Sequence, residues 1–371
     1  MRIVIKAGTN LLTTRTGEVD RKRIFALAKE IADLRKQNNE VLIVTSGAIG
    51  AGLGKLKISR KPSSLKEKQA FAAIGQPLLM DIYQDAFSAL KINVAQVLLT
   101  RHDFDERQKY VNARNTLSSL LELGAVPVIN ENDTVAVEEI NFGDNDTLSA
   151  LVASAVSADW LVILTDVEGL YKGVPGKSEL INYVEKISPE IERYASGTSS
   201  SGKGVGGMKT KVLAAKIATS SGIRTAIANG LEKDIIAKII KGEKRGTVFA
   251  PQKALEAKKH WIAFGSSCKG QIMVDEGAAK ALLKGGKSLL PSGVIRTQGG
   301  FDSGDTVSIL DSGGKEIARG VANYSCEEVE KIKGRKSADI KKILSKYSTD
   351  EVIHRDNLVV LEWLTELEDT L

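Results

Sequence analysis

The feature that most constrains the fold is a regular alternation, over residues 1–250, of short apolar runs and longer amphipathic stretches. Several of the runs are almost entirely apolar, a pattern typical of strands buried on both faces of a parallel sheet. The predicted strands are residues 2–6, 41–45, 93–99, 125–129, 160–165 and 225–228. The predicted helices, the first capped by Asp20, are residues 20–38, 66–90, 111–123, 146–157 and 208–221. The alternation predicts an open α/β sandwich with a mainly parallel sheet.

The rhythm changes near residue 250, where glycine-rich turns begin to separate short strand-like runs. Closely spaced glycine pairs are typical of tight turns between strands. We predict a small β-barrel-like domain with strands at 272–274, 306–310 and 316–321, followed by a helix at 327–345. The expected order is then an α/β domain, a linker, the β domain and a C-terminal tail, at residues 1–250, 251–267, 268–350 and 351–371.

Composition excludes several classes of protein. Two cysteines, Cys268 and Cys326, cannot form a disulfide framework, and with three histidines a His/Cys zinc site is not expected. No apolar run approaches the roughly 18 residues of a membrane-spanning helix. The apolar stretch within residues 1–6 is too short for a secretory signal. The expectation that remains is a cytoplasmic enzyme or binding protein.

The net charge of the chain invites a nucleic-acid interpretation, because 52 basic and 46 acidic residues give +6 and a sequence pI near 9.0. Residues 1–250 carry +6, residues 251–350 carry +5 and residues 351–371 carry −5. A small excess of basic residues that is spread over two regions and partly offset by an acidic tail is more typical of an ordinary solvated surface.

Glycine-bearing junctions follow the first two predicted strands. Lys6 ends the first strand and is followed by Gly8, and Ser46 lies in a segment of small residues, 45–52, after the second. Open α/β sheets bind their ligands at the carboxyl ends of such strands. Backbone amides of the second segment could hold a carboxylate or a phosphate at a helix N-terminus. The alternatives are a surface lysine before a turn and close packing of a helix against the sheet.

A dense polar cluster follows the strand predicted at 125–129. Seven of its nine residues are Asn, Asp or Glu, and they lie in the segments 130–133 and 143–147. Such side chains are costly to bury without partners. Asn145 or Asp146 could cap the next helix, which explains one residue but not the cluster. Its carboxylates could bind a substrate ammonium group, orient lysines or hold Mg²⁺ through water.

Two further segments suit a polyphosphate. Thr165-Asp166 follows an apolar strand, and a glycine-rich loop at 202–207 leads into the helix predicted at 208–221. The loop contains G-x-G-x-x-G, but no strand precedes it, and Met208 breaks the G-x-x-x-x-G-K-[ST] pattern. Its amides and the helix N-terminus still favour anions. The alternative is a flexible surface loop.

The arrangement as a whole indicates phosphoryl transfer, with Lys6 and Lys211 beside a carboxylate cluster at one edge of the sheet. Cations are needed because negative charge spreads over the transferred group in the transition state. A carboxylate between the lysines would keep them charged and aimed. No His or Cys is placed to form a covalent intermediate, so direct in-line transfer is the simpler mechanism. A nicotinamide-dependent oxidoreductase is disfavoured because no G-x-G-x-x-G follows the first strand.

Longer strings of residues point to a family. In order along the chain they include VTSGAIGAG (44–52), AAIGQPLLM (72–80), PVINENDTV (127–135), FGDNDTLSALVA (142–153), LTDVEGLY (164–171), GVGGMKTK (204–211), VDEGAAKAL (274–282) and VIHRDN (352–357). They resemble the glutamate 5-kinase family of the amino-acid kinase superfamily, and the resemblance covers essentially the whole chain. The C-terminal region resembles a PUA domain, a small β-barrel known elsewhere as an RNA-binding module.

The resemblance implies a three-layer αβα sandwich and ATP-dependent, Mg²⁺-requiring phosphorylation of the γ-carboxylate of L-glutamate to L-glutamyl 5-phosphate, the first step toward proline. Lys6 and Lys211 would stabilise the transferred phosphoryl group, and Asp146 would orient them. The implied glutamate-binding residues are Ser46, Asp133, Asn145 and Asp144. The implied ATP-binding residues are Lys6, Thr165, Asp166, Val205, Gly206, Gly207, Met208, Lys209, Thr210 and Lys211.

The resemblance also bears on partners. A homo-oligomer, dimer or tetramer, and feedback inhibition by proline are expected from the family. The alternative function is an RNA-binding protein that acts through the PUA-like domain. In that domain only Phe301, Tyr324 and Tyr347 could stack on bases, and the acidic tail offsets its basic excess, so RNA is the weaker expectation.

Overall fold

The fold was obtained as a computed structural model, which describes residues 1–14, 18–136, 145–175, 177–196, 207–252, 259, 261–336, 339–344 and 349–361. The chain divides into two compact units, Met1–Ala254 and Leu255–Leu371. Among the described residues, no helix is long and apolar enough to cross a membrane. The finer division into a linker and a tail stays a prediction.

The apolar runs of the first unit form one mainly parallel sheet, as predicted. Its strands are β1 (Arg2–Ala7), β2 (Glu40–Val44), β3 (Val94–Leu99), β4 (Val126–Glu131), β5 (Trp160–Thr165), β6 (Tyr183–Val184), β7 (Arg224–Asn229) and β8 (Thr247–Phe249). Within the described part of the chain they lie in the order β3-β4-β2-β1-β5-β7-β8-β6. Neighbours from β3 to β7 pair in parallel, whereas β8 runs antiparallel to β7. The carboxyl ends of β1, β2, β4, β5 and β7 therefore meet at one edge.

Helices cover both faces of this sheet. They are α1 (Thr9–Leu12), α2 (Arg21–Lys36), α3 (Ala48–Lys55), α4 (Leu65–Ser88), α5 (His102–Asp105), α6 (Arg107–Glu122), α7 (Asn145–Ala155), α8 (Pro189–Ser196), α9 (Met208–Ser220) and α10 (Ile235–Ile240). On one face α2 packs with α4 and α10, and on the other α7 packs with α6 and α9. The Asp20 side chain accepts a hydrogen bond from the Arg23 amide at 3.1 Å and caps α2, as predicted. The three-layer αβα prediction is confirmed.

Glycines bring α3 and α4 unusually close together. A Cβ atom at Gly75 would lie 1.8 Å from the Ala48 carbonyl oxygen, and one at Gly52 would lie 2.0 Å from the Phe71 carbonyl oxygen. Gly47, at φ +110°, adopts the left-handed conformation that starts α3. Residues 48–52 of the small-residue segment 45–52 thus belong to a helix packed against another helix, which holds the turn after β2 in place.

The second unit has its own sheet and its own core. Its strands are β9 (Gly270–Val274), β10 (Val294–Gly299), β11 (Thr306–Leu310), β12 (Glu316–Val321) and β13 (Leu358–Val360), and its helices are α11 (Glu276–Gly285), α12 (Cys326–Ile332) and α13 (Ile340–Ile343). Among the described residues the strand order is β10-β9-β11-β12-β13. The single helix predicted at 327–345 is wrong: α12 ends at Ile332, and Gly334 at φ +69° separates it from α13. Strand β13 lies in the segment that was expected to be a tail.

Candidate active site

Three charged side chains meet at the carboxyl edge of the first sheet. Lys6 belongs to the central strand β1, and Asp146 and Lys211 lie in the first turns of α7 and α9. Asp146 Oδ1 is 2.5 Å from Lys6 Nζ, and its Oδ2 is 3.0 Å from Lys211 Nζ. The Thr210 hydroxyl donates to the same Oδ2 at 2.8 Å. The structure thus brings together the two lysines and the carboxylate that the sequence singled out.

All three side chains are buried, with exposed fractions of 4% for Lys6, 0% for Asp146 and 6% for Lys211. Burial by itself would raise the pKa of Asp146, but the charges of Lys6 and Lys211 outweigh burial and hold that pKa well below its usual value. The carboxylate is therefore ionised and aims both ammonium groups. Two cations and one anion carry a net charge of +1, which suits the developing charge of a transferred phosphoryl group.

A chain of polar side chains extends from the end of β2 to α4. The Asn145 amide Nδ2 donates to Ser46 Oγ at 2.9 Å and to Asn130 Oδ1 at 3.1 Å. Asn130 Nδ2 in turn donates to Gln76 Oε1 at 2.8 Å. Ser46 and Asn145, two of the residues expected to bind glutamate, are therefore adjacent in space.

From the sequence, Asn130 was assigned no individual role and Gln76 was not singled out. Asn130 lies in the polar cluster after β4, so its proximity to the site was open to prediction. Gln76 was visible only as a polar residue in the string AAIGQPLLM, and its partner lies 54 positions away.

Asp133 lies in the turn that follows β4. Burial raises the pKa of its carboxyl group to about 6. A half-buried carboxylate of this kind gains from a cationic partner such as a substrate ammonium group. Asp144, the fourth residue expected to bind glutamate, lies outside the described residues.

The nucleotide-binding residues expected from the sequence lie at the ends of β5 and at the start of α9. The Thr165 hydroxyl donates to Asp166 Oδ1 at 3.1 Å, and Asn10 Nδ2 donates to Asp166 Oδ2 at the same distance. Ahead of α9 a Cβ atom at Gly207 would meet no atom of the other described residues within 4 Å. The N-terminal amides of the helix suit an anion.

Other members of this predicted set have different surroundings. Met208 and Lys209 form the first turn of α9, and the Lys209 side chain is exposed. Thr210 contacts Asp146, so its hydroxyl helps to orient the carboxylate. Val205 and Gly206 lie outside the described residues.

Comparison with known families agrees with this geometry. The profile of the amino acid kinase family matches residues 1–229, and that of the PUA domain matches residues 270–344. A mainly parallel sheet with two buried lysines and an aspartate at its carboxyl edge is thus the catalytic domain of an amino acid kinase.

Sequence identity to individual relatives defines the family more narrowly. The chain is 53% identical over 366 residues to the glutamate 5-kinase of Caldanaerobacter subterraneus subsp. tengcongensis, with 98% of each chain covered. It is 52% identical to that of a Thermoanaerobacter strain, again with 98% of each covered, and 51% identical to that of Moorella thermoacetica, with 97% and 96% covered. The chain belongs to the glutamate 5-kinase family, and the family predicted from the sequence is confirmed.

Proposed function

We propose that this kinase transfers the γ-phosphoryl group of ATP to the γ-carboxylate of L-glutamate and forms L-glutamyl 5-phosphate, the first step of proline biosynthesis. The observation that carries the chemistry is the buried Asp146 carboxylate between the Lys6 and Lys211 ammonium groups. The identity of the acceptor is supported by the names of the relatives.

The proposed mechanism is a direct in-line transfer. An oxygen of the γ-carboxylate attacks the γ-phosphorus, a new O–P bond forms, and the bond to the β,γ-bridging oxygen breaks as ADP leaves. A carboxyl group of ordinary pKa, about 4.3, is already ionised at neutral pH, so the acceptor needs no general base. Lys6 and Lys211 would stabilise the charge on the transferred group, and Asp146 would hold them in position.

The remaining residues would bind the two substrates. Ser46, Asn145, Asp133 and Asp144 would hold glutamate. Thr165, Asp166 and the segment 205–211 would hold ATP. The geometry supports this division, because Ser46 after β2 and Asn145 are joined by a hydrogen bond, whereas Thr165 and Asp166 lie at the end of β5, on the other side of β1.

Mg²⁺ fits this site as a companion of ATP. Among the described residues no group of three or more His, Cys, Asp or Glu side chains could hold a metal ion. Asp146 already accepts from Lys6, Lys211 and Thr210. Mg²⁺ commonly keeps several waters and binds through substrate phosphates with one or two carboxylates. Bound in this way, it would neutralise part of the phosphate charge.

We further propose a cytoplasmic homo-oligomer, dimer or tetramer, that proline inhibits, as expected for the family. Two cysteines, Cys268 and Cys326, are too few for a disulfide framework, which suits a reducing compartment.

The proposed activity is tested by ADP release from ATP with L-glutamate, D-glutamate or L-aspartate as acceptor. We expect ADP with L-glutamate and Mg²⁺, and much less with the other two acids. ADP release that is independent of the acceptor would contradict the proposal.

A further inference from the structure

We propose that Gln76 is a positioning residue of the acceptor side of the site, which fixes the orientation of Asn130 and, through it, of Asn145. The inference rests on the proposed function, because it assigns the residues that Gln76 positions to glutamate binding. Gln76 lies in α4 and is 9% exposed, and Asn130 is 2% exposed.

A backbone amide sets the direction of the whole chain of hydrogen bonds. The Glu131 N–H, which can only donate, points at Asn130 Oδ1 over 2.9 Å. Asn130 must then present its NH₂ group at the other end, where Gln76 Oε1 accepts at 2.8 Å. The same Asn130 Oδ1 also accepts from Asn145 Nδ2 at 3.1 Å.

The consequence appears at Asn145. Its NH₂ group is turned toward Asn130 and Ser46, so its carbonyl oxygen Oδ1 faces away from both. This oxygen is buried and has no hydrogen-bond partner among the described residues. A buried acceptor without a partner suits the ammonium group of an amino acid.

The energetic cost of burying the Gln76 amide argues for a role of this residue beyond packing. Its Nε2 is buried without a hydrogen-bond partner in the described part of the chain. A buried amide that is only half satisfied is unfavourable compared with an apolar side chain of the same shape. The contact between Gln76 Oε1 and Asn130 therefore explains the residue better than packing does.

The test compares variants of the full-length enzyme in steady-state kinetics with both substrates. Gln76→Met keeps the length of the side chain but removes the acceptor oxygen, so Asn130 Nδ2 loses its partner. We expect the KM for L-glutamate to rise about tenfold or more and the KM for ATP to stay within about twofold. Gln76→Glu keeps an acceptor oxygen and should restore most of the glutamate affinity.

A matched control is available on the same helix. Gln84 is exposed and bonds only to Ser88 on its own helix in the contacts observed, so Gln84→Met should leave both KM values unchanged. If Gln76→Met does not fold, Gln76→Asn, whose amide is too short to reach Asn130, should show the same selective rise.

Three results would overturn the proposal. They are an unchanged glutamate KM in Gln76→Met, an equal rise in both KM values, or a Gln76→Glu enzyme as impaired as Gln76→Met. A wild-type enzyme without glutamate-dependent turnover would instead contradict the proposed function.

Discussion

The two units of the chain differ in whether they bury charged side chains. In the first unit Lys6, Asp146 and Lys211 are buried at the carboxyl edge of the sheet. In the second unit no charged side chain is buried among the residues that the structure describes, and residues such as Ile272 and Ile309 form an apolar core. Burying ions costs folding free energy even when they are paired. The first unit bears that cost where the charges can act on a substrate, which indicates where the reaction takes place.

The aromatic side chains of the second unit extend this contrast. Phe301 and Tyr324 are buried in its core, so they are unavailable to stack on bases. Tyr347 lies outside the described residues. Of the three aromatics that the sequence offered for base stacking, the two that the structure describes thus contribute to folding, which weakens the RNA-binding alternative.

The largest expected effect is on stability. Asp146→Asn leaves two buried ammonium groups without the carboxylate between them and should lower the free energy of unfolding by about 3–5 kcal/mol. Because the pKa of Asp146 is held low, its ionised form stabilises the wild type throughout the neutral range, and that contribution is lost only in acid. Denaturant unfolding between about pH 5 and pH 8 should show a constant difference between the two proteins.

The control for this variant lies in the second unit. The Glu330–Lys333 pair has a contact distance of 2.5 Å, with 38% and 36% of its side chains exposed. Glu330→Gln should therefore cost at most about 1 kcal/mol. If Asp146→Asn and Glu330→Gln lowered the free energy of unfolding equally, the proposed difference between the two units would be contradicted.

The next effect is on catalysis. Lys211→Ala removes one of the two cations proposed to stabilise the transferred group, so kcat should fall by about a hundredfold or more, as for the loss of an oxyanion donor. The matched control is Lys216→Ala on the same helix, since Lys216 pairs with Glu192 and not with Asp146. A kcat for Lys211→Ala equal to that of Lys216→Ala would refute the role of Lys211.

A smaller effect concerns pH. Burial raises the pKa of Asp133 to about 6, so lowering the pH through 6 should protonate it and weaken its proposed attraction for the ammonium group of glutamate. The kcat/KM for glutamate, which reports groups of the free enzyme, should fall over this range. In Asp133→Asn the kcat/KM for glutamate should be about tenfold lower at pH 8, and its fall near pH 6 should be absent. If kcat/KM still falls near pH 6 in the variant, another group is responsible for the titration.

The smallest effect tests the second unit alone. Ser325 and Glu328 form a capping box at the start of α12. Ser325→Ala should cost about 1 kcal/mol of stability in thermal unfolding. Both KM values and kcat should stay as in the wild type, because the proposed site lies in the first unit. A change in glutamate affinity would show that the second unit takes part in binding.

Much of the fold could be predicted from the sequence because its signals are local. The central strands are apolar runs of five or six residues, such as Trp160–Thr165, and they were predicted. Strands β6 and β8 have two and three residues and carry too little pattern to detect. Helix α3 was given no range among the predicted helices. Three of its eight residues are glycine, which disfavours a helix until Gly75 and Gly52 allow it to pack against α4.

The site was predictable in part for the same reason. Lys6, Asp146 and Lys211 each lie at the end of a recognisable strand or the start of a helix, and parallel topology brings such positions together. The role of Thr210 as a partner of Asp146 and the link between Gln76 and Asn130 depend on side-chain directions between distant segments. Neither contact leaves a local pattern in the sequence.

The central claim is that the buried lysine–aspartate site phosphorylates a carboxylate. It is tested most directly by measuring ADP and γ-glutamyl hydroxamate in the same reaction, with ATP, Mg²⁺, L-glutamate and hydroxylamine, which traps an acyl phosphate. We predict equimolar formation of both products in the wild type, and loss of both when glutamate is omitted. ADP formation without glutamate, or ADP with no hydroxamate, would contradict the claim.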